Sequence, residues 1–314
     1  MQALQLTRAT AGAPVILSLI TTDVPTPMPG HLLIKVHASA IMPSDVLNSR
    51  GGFPYTRFPR IPGRDFAGTI AEGPRAGEEV YGTSGFTYAF TIDGFHAEYC
   101  LVREDEVARK PKNLSFAQAA CVGVPFTTAA LTLRKAFLKQ SDTVLVIGGF
   151  GSVGSAVVQL ARSKGCKVLL AARGESADVS TDDMELTAVD NLTGGQGVDV
   201  VIDTIGIPAL VGAAISKLAQ GGRLAFITAP RDVNLTVDMK DFYRHEKCLI
   251  GCNSLSYSAQ ELARLMGEFT LEFENGKLIA PREEIWEKIP LNQAVGAYQR
   301  ALEDSSHKYL IVMP

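Results

Sequence analysis

The spacing of apolar positions changes character twice along the chain. From residue 1 to about 115, short strand-like runs such as MQALQL, Leu32 to Ala38 and Phe66 to Ala71 are separated by Pro and Gly clusters. That is the pattern of an irregular β domain. From 116 to 255, helical and strand-like stretches alternate: SFAQAACVGVPFTTAALTLRKA reads as helix, then come TVLVIGG, VVQLARSKG, KVLLAA, VDVVIDTIG and GRLAFITAP. Near-continuous apolar strands joined by crossover helices predict a parallel sheet with both faces covered. From 256 to 314 an amphipathic helix, SAQELARLMGEFTLEFENG, sets Leu262, Leu265, Phe269 and Phe273 at helical spacing and stops at Gly276. The chain closes with the strand-like YLIVMP.

Composition narrows the function classes. With 314 residues, 46% of them hydrophobic and 20% charged, the chain buries a large core and divides into two domains. A net charge of -3, from 30 basic and 33 acidic residues without a basic block, gives no electrostatic reason to expect nucleic acid or an anionic membrane as partner. A small uncharged substrate fits better. Met1 to Leu6 already read as strand, without a basic leader or an apolar signal core, and no run reaches the roughly 18 apolar residues of a membrane span, so a cytoplasmic protein is expected. The five cysteines, Cys100, Cys121, Cys166, Cys248 and Cys252, are odd in number and are read as reduced thiols. Cys248 and Cys252 lie in KCLIGCN, which reads as a β-rich apolar run rather than a metal site.

Candidate chemistry starts at Gly149-Phe150-Gly151-Ser152-Val153-Gly154, between the buried strand Thr143 to Ile147 and the helix Ser155 to Lys164. Strand, glycine turn and helix follow in the order of the dinucleotide fingerprint. Gly149 is expected to make the tight turn, Gly151 to let backbone approach a pyrophosphate, and Gly154 to let helix and strand pack closely. The helix N-terminus would offer N–H groups and partial positive charge to the phosphates. Downstream, where an NAD site carries an acidic residue for the ribose 2′-hydroxyl, the sequence reads Leu170-Ala171-Ala172-Arg173-Gly174. No carboxylate repels a 2′-phosphate there, and Arg173 either bonds one or stands solvated in its loop; the first reading favours NADPH.

With MQALQL, Ile41-Met42-Pro43-Ser44-Asp45, IPGRDFAG from Ile61, VPFTTAA from Val124, VLVIGGFGSVG and the terminal HKYLIVMP, the chain resembles the medium-chain dehydrogenase/reductase family over nearly its whole length. The resemblance implies an α/β protein in which a Rossmann-type doubly wound sheet, 116–255, is inserted into a chaperonin-10-like β-rich catalytic domain, 1–115 and 256–314, with the active site in the cleft between them. The family's zinc ligands fall on Met42, Arg64 and Val124. A guanidinium cannot ligate at neutral pH and Val has no donor atom, so no catalytic metal is expected. A structural zinc lobe, which needs four clustered cysteines, is absent too.

What remains resembles the zinc-independent quinone oxidoreductases. In that branch a hydride passes from NADPH to a quinone or another conjugated carbonyl, whose own oxygen spreads the incoming charge. The resemblance implies that Thr128 touches the nicotinamide side, with a buried helix Thr satisfied by its own backbone as the other reading. It implies that Lys308 reaches a phosphate, and that backbone at Asp203 to Gly206 and around Thr228 lines the cofactor cleft. Quinone reductases usually carry Asn where Met42 stands and Tyr near Phe53; here Tyr55 and Ser44 are the substitutes on the substrate side, or else packing and solvated residues. Asp45 is expected to cap or brace its domain, and Arg64 and Asp65 to serve local loop structure. Too few residues separate KVLLAA from Asp178 to Thr181 for a crossover helix, so the edge strand there should be lost, distorted or antiparallel. A homodimer paired through Cys248 to Asn253 is expected. A reductase of another activated carbonyl or enoyl substrate, or a nucleotide-binding relative with little turnover, stays open.

Overall fold

Ala3, Leu4 and Leu6 of MQALQL are enclosed, and strand β1 (Gln2–Thr7) runs antiparallel to β2 (Ile16–Thr21), Leu4 opposite Leu19. The computed structural model describes residues 1–229, 233–304 and 306–314. Next along the chain come β3 (His31–Ile41), α1 (Pro43–Ser49), β4 (Asp65–Ile70), β5 (Glu79–Thr83), β6 (Tyr99–Arg103) and β7 (Ala108–Arg109). The expected long helix from 115 to 136 is two helices, α2 (Phe116–Ala119) and α3 (Gly123–Lys135). Alternation then sets in, with β8 (Thr143–Ile147), α4 (Ser152–Ser163), β9 (Lys167–Ala172), β10 (Val179–Ser180), α5 (Ala188–Thr193) and β11 (Val198–Asp203). It continues through α6 (Pro208–Ser216), β12 (Leu218–Phe226), α7 (Met239–Arg244) and β13 (Cys248–Gly251), and the chain ends with α8 (Ala259–Glu274), β14 (Glu287–Pro290), α9 (Ala294–Glu303) and β15 (Tyr309–Val312).

Two compact units result, Met1–Val124 together with Leu255–Pro314, and Pro125–Ser254. In the first, a seven-stranded sheet runs β14-β15-β3-β4-β5-β7, with β6 also on β3. The C-terminal strand β15 lies antiparallel to β3, Tyr309 opposite Ile41, so the tail completes the N-terminal sheet. Leu4, Ile34, Phe66, Phe95, Tyr298 and Ile311 form its core. Helix α8 begins at Ser258, whose hydroxyl accepts the Glu261 N–H in a capping box. Of its expected apolar stripe, Leu262, Phe269 and Phe273 are buried, whereas Leu265 is half-buried and Met266 takes the fourth enclosed place. The Tyr81 phenol on β5 donates to the Met266 carbonyl at 2.7 Å, pinning helix to sheet.

The second unit is a six-stranded parallel sheet, β10-β9-β8-β11-β12-β13. Pro230, at the end of the expected GRLAFITAP strand, lies outside the described residues. Between Ala172 and Val179 there is no helix, as the short spacing predicts. The edge strand β10 nevertheless survives, reduced to Val179–Ser180 and parallel to β9 rather than antiparallel. Asp178 shows how: its carboxylate accepts the Leu170 N–H at 2.8 Å, taking a place in the ladder that a longer strand would fill.

Candidate functional site

In the parallel unit the expected cofactor residues gather at the carboxyl ends of neighbouring strands, where open parallel sheets bind ligands. Gly148 follows β8 with φ +81°, so Gly148 makes the tight turn expected of Gly149. Gly149 instead packs on β9: a Cβ there would lie 2.5 Å from Leu170 Cγ. Gly151 is the N-cap of α4, extended and without a side-chain cap, and Ser152, Val153 and Gly154 form the first helical turn, three residues earlier than the sequence suggests. A Cβ on Gly154 would stand 2.1 Å from the Gly148 carbonyl oxygen, so only glycine lets helix and turn meet. The uncapped N-terminus of a 12-residue helix fits the pyrophosphate of a dinucleotide.

Asp203 ends β11 in register with Ile147 of β8. Its buried carboxylate accepts the Ile205 N–H at 3.0 Å and the Gly206 N–H at 2.9 Å, while burial pushes its pKa up. Asp203 therefore shapes a turn rather than presenting a free acid. The Thr204 hydroxyl donates to the Ile147 carbonyl at 2.8 Å, which ties that turn to the end of β8. Thr228 is half-buried just past β12, and Arg173 is exposed just past β9. Thr128 is buried within α3, and its hydroxyl has no partner; the reading in which its own backbone satisfies it does not hold. Its carbonyl instead accepts the Thr132 hydroxyl at 2.7 Å.

Lys308 belongs to the β-rich unit, half-buried, with its ammonium 5.7 Å from the centre of the Trp286 ring and its pKa lowered by burial. The same unit holds a buried polar cluster around Arg64, which is 3% exposed. Its Nε donates to Ser84 Oγ at 2.9 Å and one Nη to Ser44 Oγ at 3.0 Å. The other Nη has no partner. The Ser84 hydroxyl donates its own hydrogen bond to the Gly85 carbonyl at 2.9 Å. Asp45 accepts the Met42 N–H at 2.9 Å, the bracing role expected of it, and Asp65 accepts the Val124 N–H at 2.7 Å. Each of these carboxylates keeps one buried oxygen without a partner. Burial pushes Asp45 up to about 7 and Asp65 up to about 6, against the pull of nearby Arg64.

Aromatic rings flank the cluster. Tyr55 packs on Phe53 at 5.7 Å and on Phe90 at 5.4 Å between ring centres, and Arg64 lies 5.9 Å from the centre of Phe90. Burial raises the Tyr55 phenol pKa, partly offset by the Arg64 charge. Tyr55 is 43% exposed, and its phenol lies close enough to Arg64 to feel that charge. Asn48 holds this loop, donating to the Ala89 carbonyl at 2.8 Å and accepting the Thr56 hydroxyl at 2.7 Å. Ser44 and Tyr55 are thus brought around one guanidinium, and Arg64, read as a loop residue, is the centre of the cluster. Its signal in the sequence is two adjacent charges inside the otherwise apolar IPGRDFAG.

The metal positions implied by resemblance do not fit a metal. Met42 is buried with its N–H spent on Asp45, Arg64 is a cation, and Val124 offers only backbone. Among the described residues no group of three or more His, Cys, Asp or Glu is arranged to hold an ion.

A β-rich unit closed by its own C-terminal strand, together with a glycine-turn parallel sheet, defines an oxidoreductase scaffold. Residues 28–112 match the family described as alcohol dehydrogenase GroES-like domain, and residues 152–269 match zinc-binding dehydrogenase. A zinc-type alcohol dehydrogenase-like protein of Schizosaccharomyces pombe is 43% identical, covering 100% of this chain and 97% of that protein. Quinone oxidoreductase of Homo sapiens is 30% identical, covering 94% of this chain and 92% of its own. The chain belongs to the medium-chain dehydrogenase/reductase family, in its quinone oxidoreductase-like branch. The fold matches that of an alcohol dehydrogenase superfamily protein from Novosphingobium aromaticivorans with a TM-score of 0.85, at 24% identity and full coverage of both chains.

Proposed function

We propose that this oxidoreductase uses NADPH to reduce quinones or other α,β-unsaturated carbonyls without a metal ion. The observation that carries the reading is the Arg64 cluster: where metal-dependent relatives would place ligands, this chain places a buried cation that holds Ser44 by a hydrogen bond. A bound reduced nicotinamide supplies a hydride, and the substrate takes up that hydride and one proton from water. Gly148, Gly151 and Gly154 shape the turn that accepts the pyrophosphate, and the unpartnered Thr128 hydroxyl is available to the nicotinamide side. Lys308 and the turns at Gly206 and Thr228 complete the cofactor contacts. Tyr55 and Ser44 offer hydroxyls on the substrate side, and conjugation lets the acceptor hold the incoming charge without Lewis-acid help.

Arg173 supports NADPH over NADH, because it stands exposed just past β9 where NAD sites carry an acid. Two copies would pair through β13, an edge strand with exposed Leu249. Unpaired thiols at all five cysteines support the cytoplasmic reading, and no helix among the described residues is long and apolar enough to cross a membrane. The test follows nicotinamide absorbance with NADPH and then NADH against a panel of quinones and enones. Oxidation of NADPH by several members is expected. Tight nucleotide binding without oxidation by any of them would replace this reading with a nucleotide-binding relative of little turnover. Equal use of both nucleotides would remove the role of Arg173.

A further inference from the structure

The two serines that Arg64 grips are not equivalent. Ser84 accepts from Arg64 and spends its own proton on the Gly85 carbonyl, deep in the unit. Ser44 also accepts from Arg64 but donates to no described group, and it is only half-buried. A hydroxyl whose lone pair is held by a cation is a stronger donor than a free one, because the charge withdraws electron density from its O–H bond. The Arg64 fork also fixes the Ser44 oxygen in direction, so that the unspent proton points away from the guanidinium.

The surroundings keep this cation from acting as a simple anion site. Asp45 and Asp65 both lie close enough to feel its charge, although neither forms an ion pair with it. Tyr55 and Phe90 line the same region with aromatic surface. Arg64 itself is 3% exposed, so a ligand meets the half-buried Ser44 hydroxyl rather than the cation, and a neutral carbonyl oxygen suits that donor. The match is to an uncharged, planar conjugated carbonyl.

We infer that Arg64 is a positioning residue that polarises the Ser44 hydroxyl to donate to the substrate carbonyl oxygen, supplying through a hydrogen bond the charge stabilisation that a metal gives in metal-dependent relatives. Ser44 is then the catalytic donor, and Arg64 acts only through it. No proton leaves Ser44: its hydrogen bond strengthens as charge develops on the oxygen, and water supplies the proton that completes reduction. This inference rests on the carbonyl-reductase reading.

Two measurements test it, one with turnover and one without. Steady-state kinetics with NADPH and duroquinone, which has no free ring carbon for an exposed thiol to attack, compare Ser44→Ala, Arg64→Gln, Arg64→Lys and the double variant Ser44→Ala/Arg64→Gln. The expected result is a fall in kcat of about 10- to 100-fold for Ser44→Ala and for Arg64→Gln, with NADPH affinity unchanged by calorimetry. Arg64→Lys should recover part of the loss, and the double variant should be no slower than Ser44→Ala. Multiplying losses in the double variant, or an undiminished kcat in Arg64→Gln, would overturn the inference while leaving the reductase reading intact. The second measurement is the infrared carbonyl stretch of bound duroquinone without nucleotide. A shift to lower frequency is expected in the parent protein, absent in Ser44→Ala and weakened in Arg64→Lys. An identical stretch in the parent protein and Ser44→Ala would overturn the inference, even if Arg64→Gln did not fold. Absence of turnover by the parent protein with the whole panel would sink the reductase reading instead.

Discussion

Replacing Asp45 by Asn removes a buried carboxyl group while keeping an oxygen to accept the Met42 N–H. In the folded protein burial raises the Asp45 pKa from its ordinary 3.8 to about 7, so the folded state holds a proton that the unfolded chain has already released. Stability contributed by that proton is complete below about pH 4 and is lost as pH climbs through 7. Each pH unit in the window is worth about 1.4 kcal/mol, so the full effect approaches roughly 4 kcal/mol. Asp65, raised to about 6, slopes the same way. Buried His96 slopes the other way: burial lowers it to about 4, and its Nε2–H donates to the Ala40 carbonyl at 3.3 Å while Tyr298 donates to Nδ1 at 3.0 Å. Its neutral form adds stability above about pH 6.5 that is lost as pH falls to about 4. Asp65 and His96 remain in the variant, so subtracting the two stability curves leaves Asp45 together with its charge coupling to Asp65. Urea unfolding of both proteins from pH 4.5 to 8 supplies them. The parent protein should lose ground to Asp45→Asn as pH rises to about 7, with the difference levelling off above that. A flat difference, or one of opposite slope, would refute the claim that this carboxyl is protonated in the folded cluster.

Three further outcomes follow from single contacts. Gly154→Val drives a side chain into the Gly148 carbonyl and should weaken NADPH binding at least about 100-fold by calorimetry, since the turn cannot close on the phosphates. Tyr81→Phe removes the 2.7 Å bond to Met266 and should cost about 1 kcal/mol in denaturant unfolding. Leu249→Lys on the β13 edge should shift a dimer toward monomer in sedimentation equilibrium, with the same turnover per active chain if the pairing is as proposed.

Local chemistry explains what was legible in the chain alone. Thr143 to Ile147 forms the strand with those bounds because a short apolar run ending in glycines leaves the backbone few alternatives. The helix missing after Ala172 follows from length, since so few residues cannot build a crossover. Turn details were less secure: the positive φ falls on Gly148 rather than Gly149, because the strand end sets where the chain must reverse.

Only the tertiary structure assembled the Arg64 cluster. Strand β4 carries Asp65, and its pairing with β3 and β5 sets Arg64 between Ser44 and Ser84, each 20 residues away along the chain. Val124, 59 residues from Asp65, arrives by the same folding. Periodicity reports which face of an element is buried, but it carries no record of which distant side chains a buried charge will meet. That choice belongs to sheet pairing, and the chemistry of Ser44 depends on it.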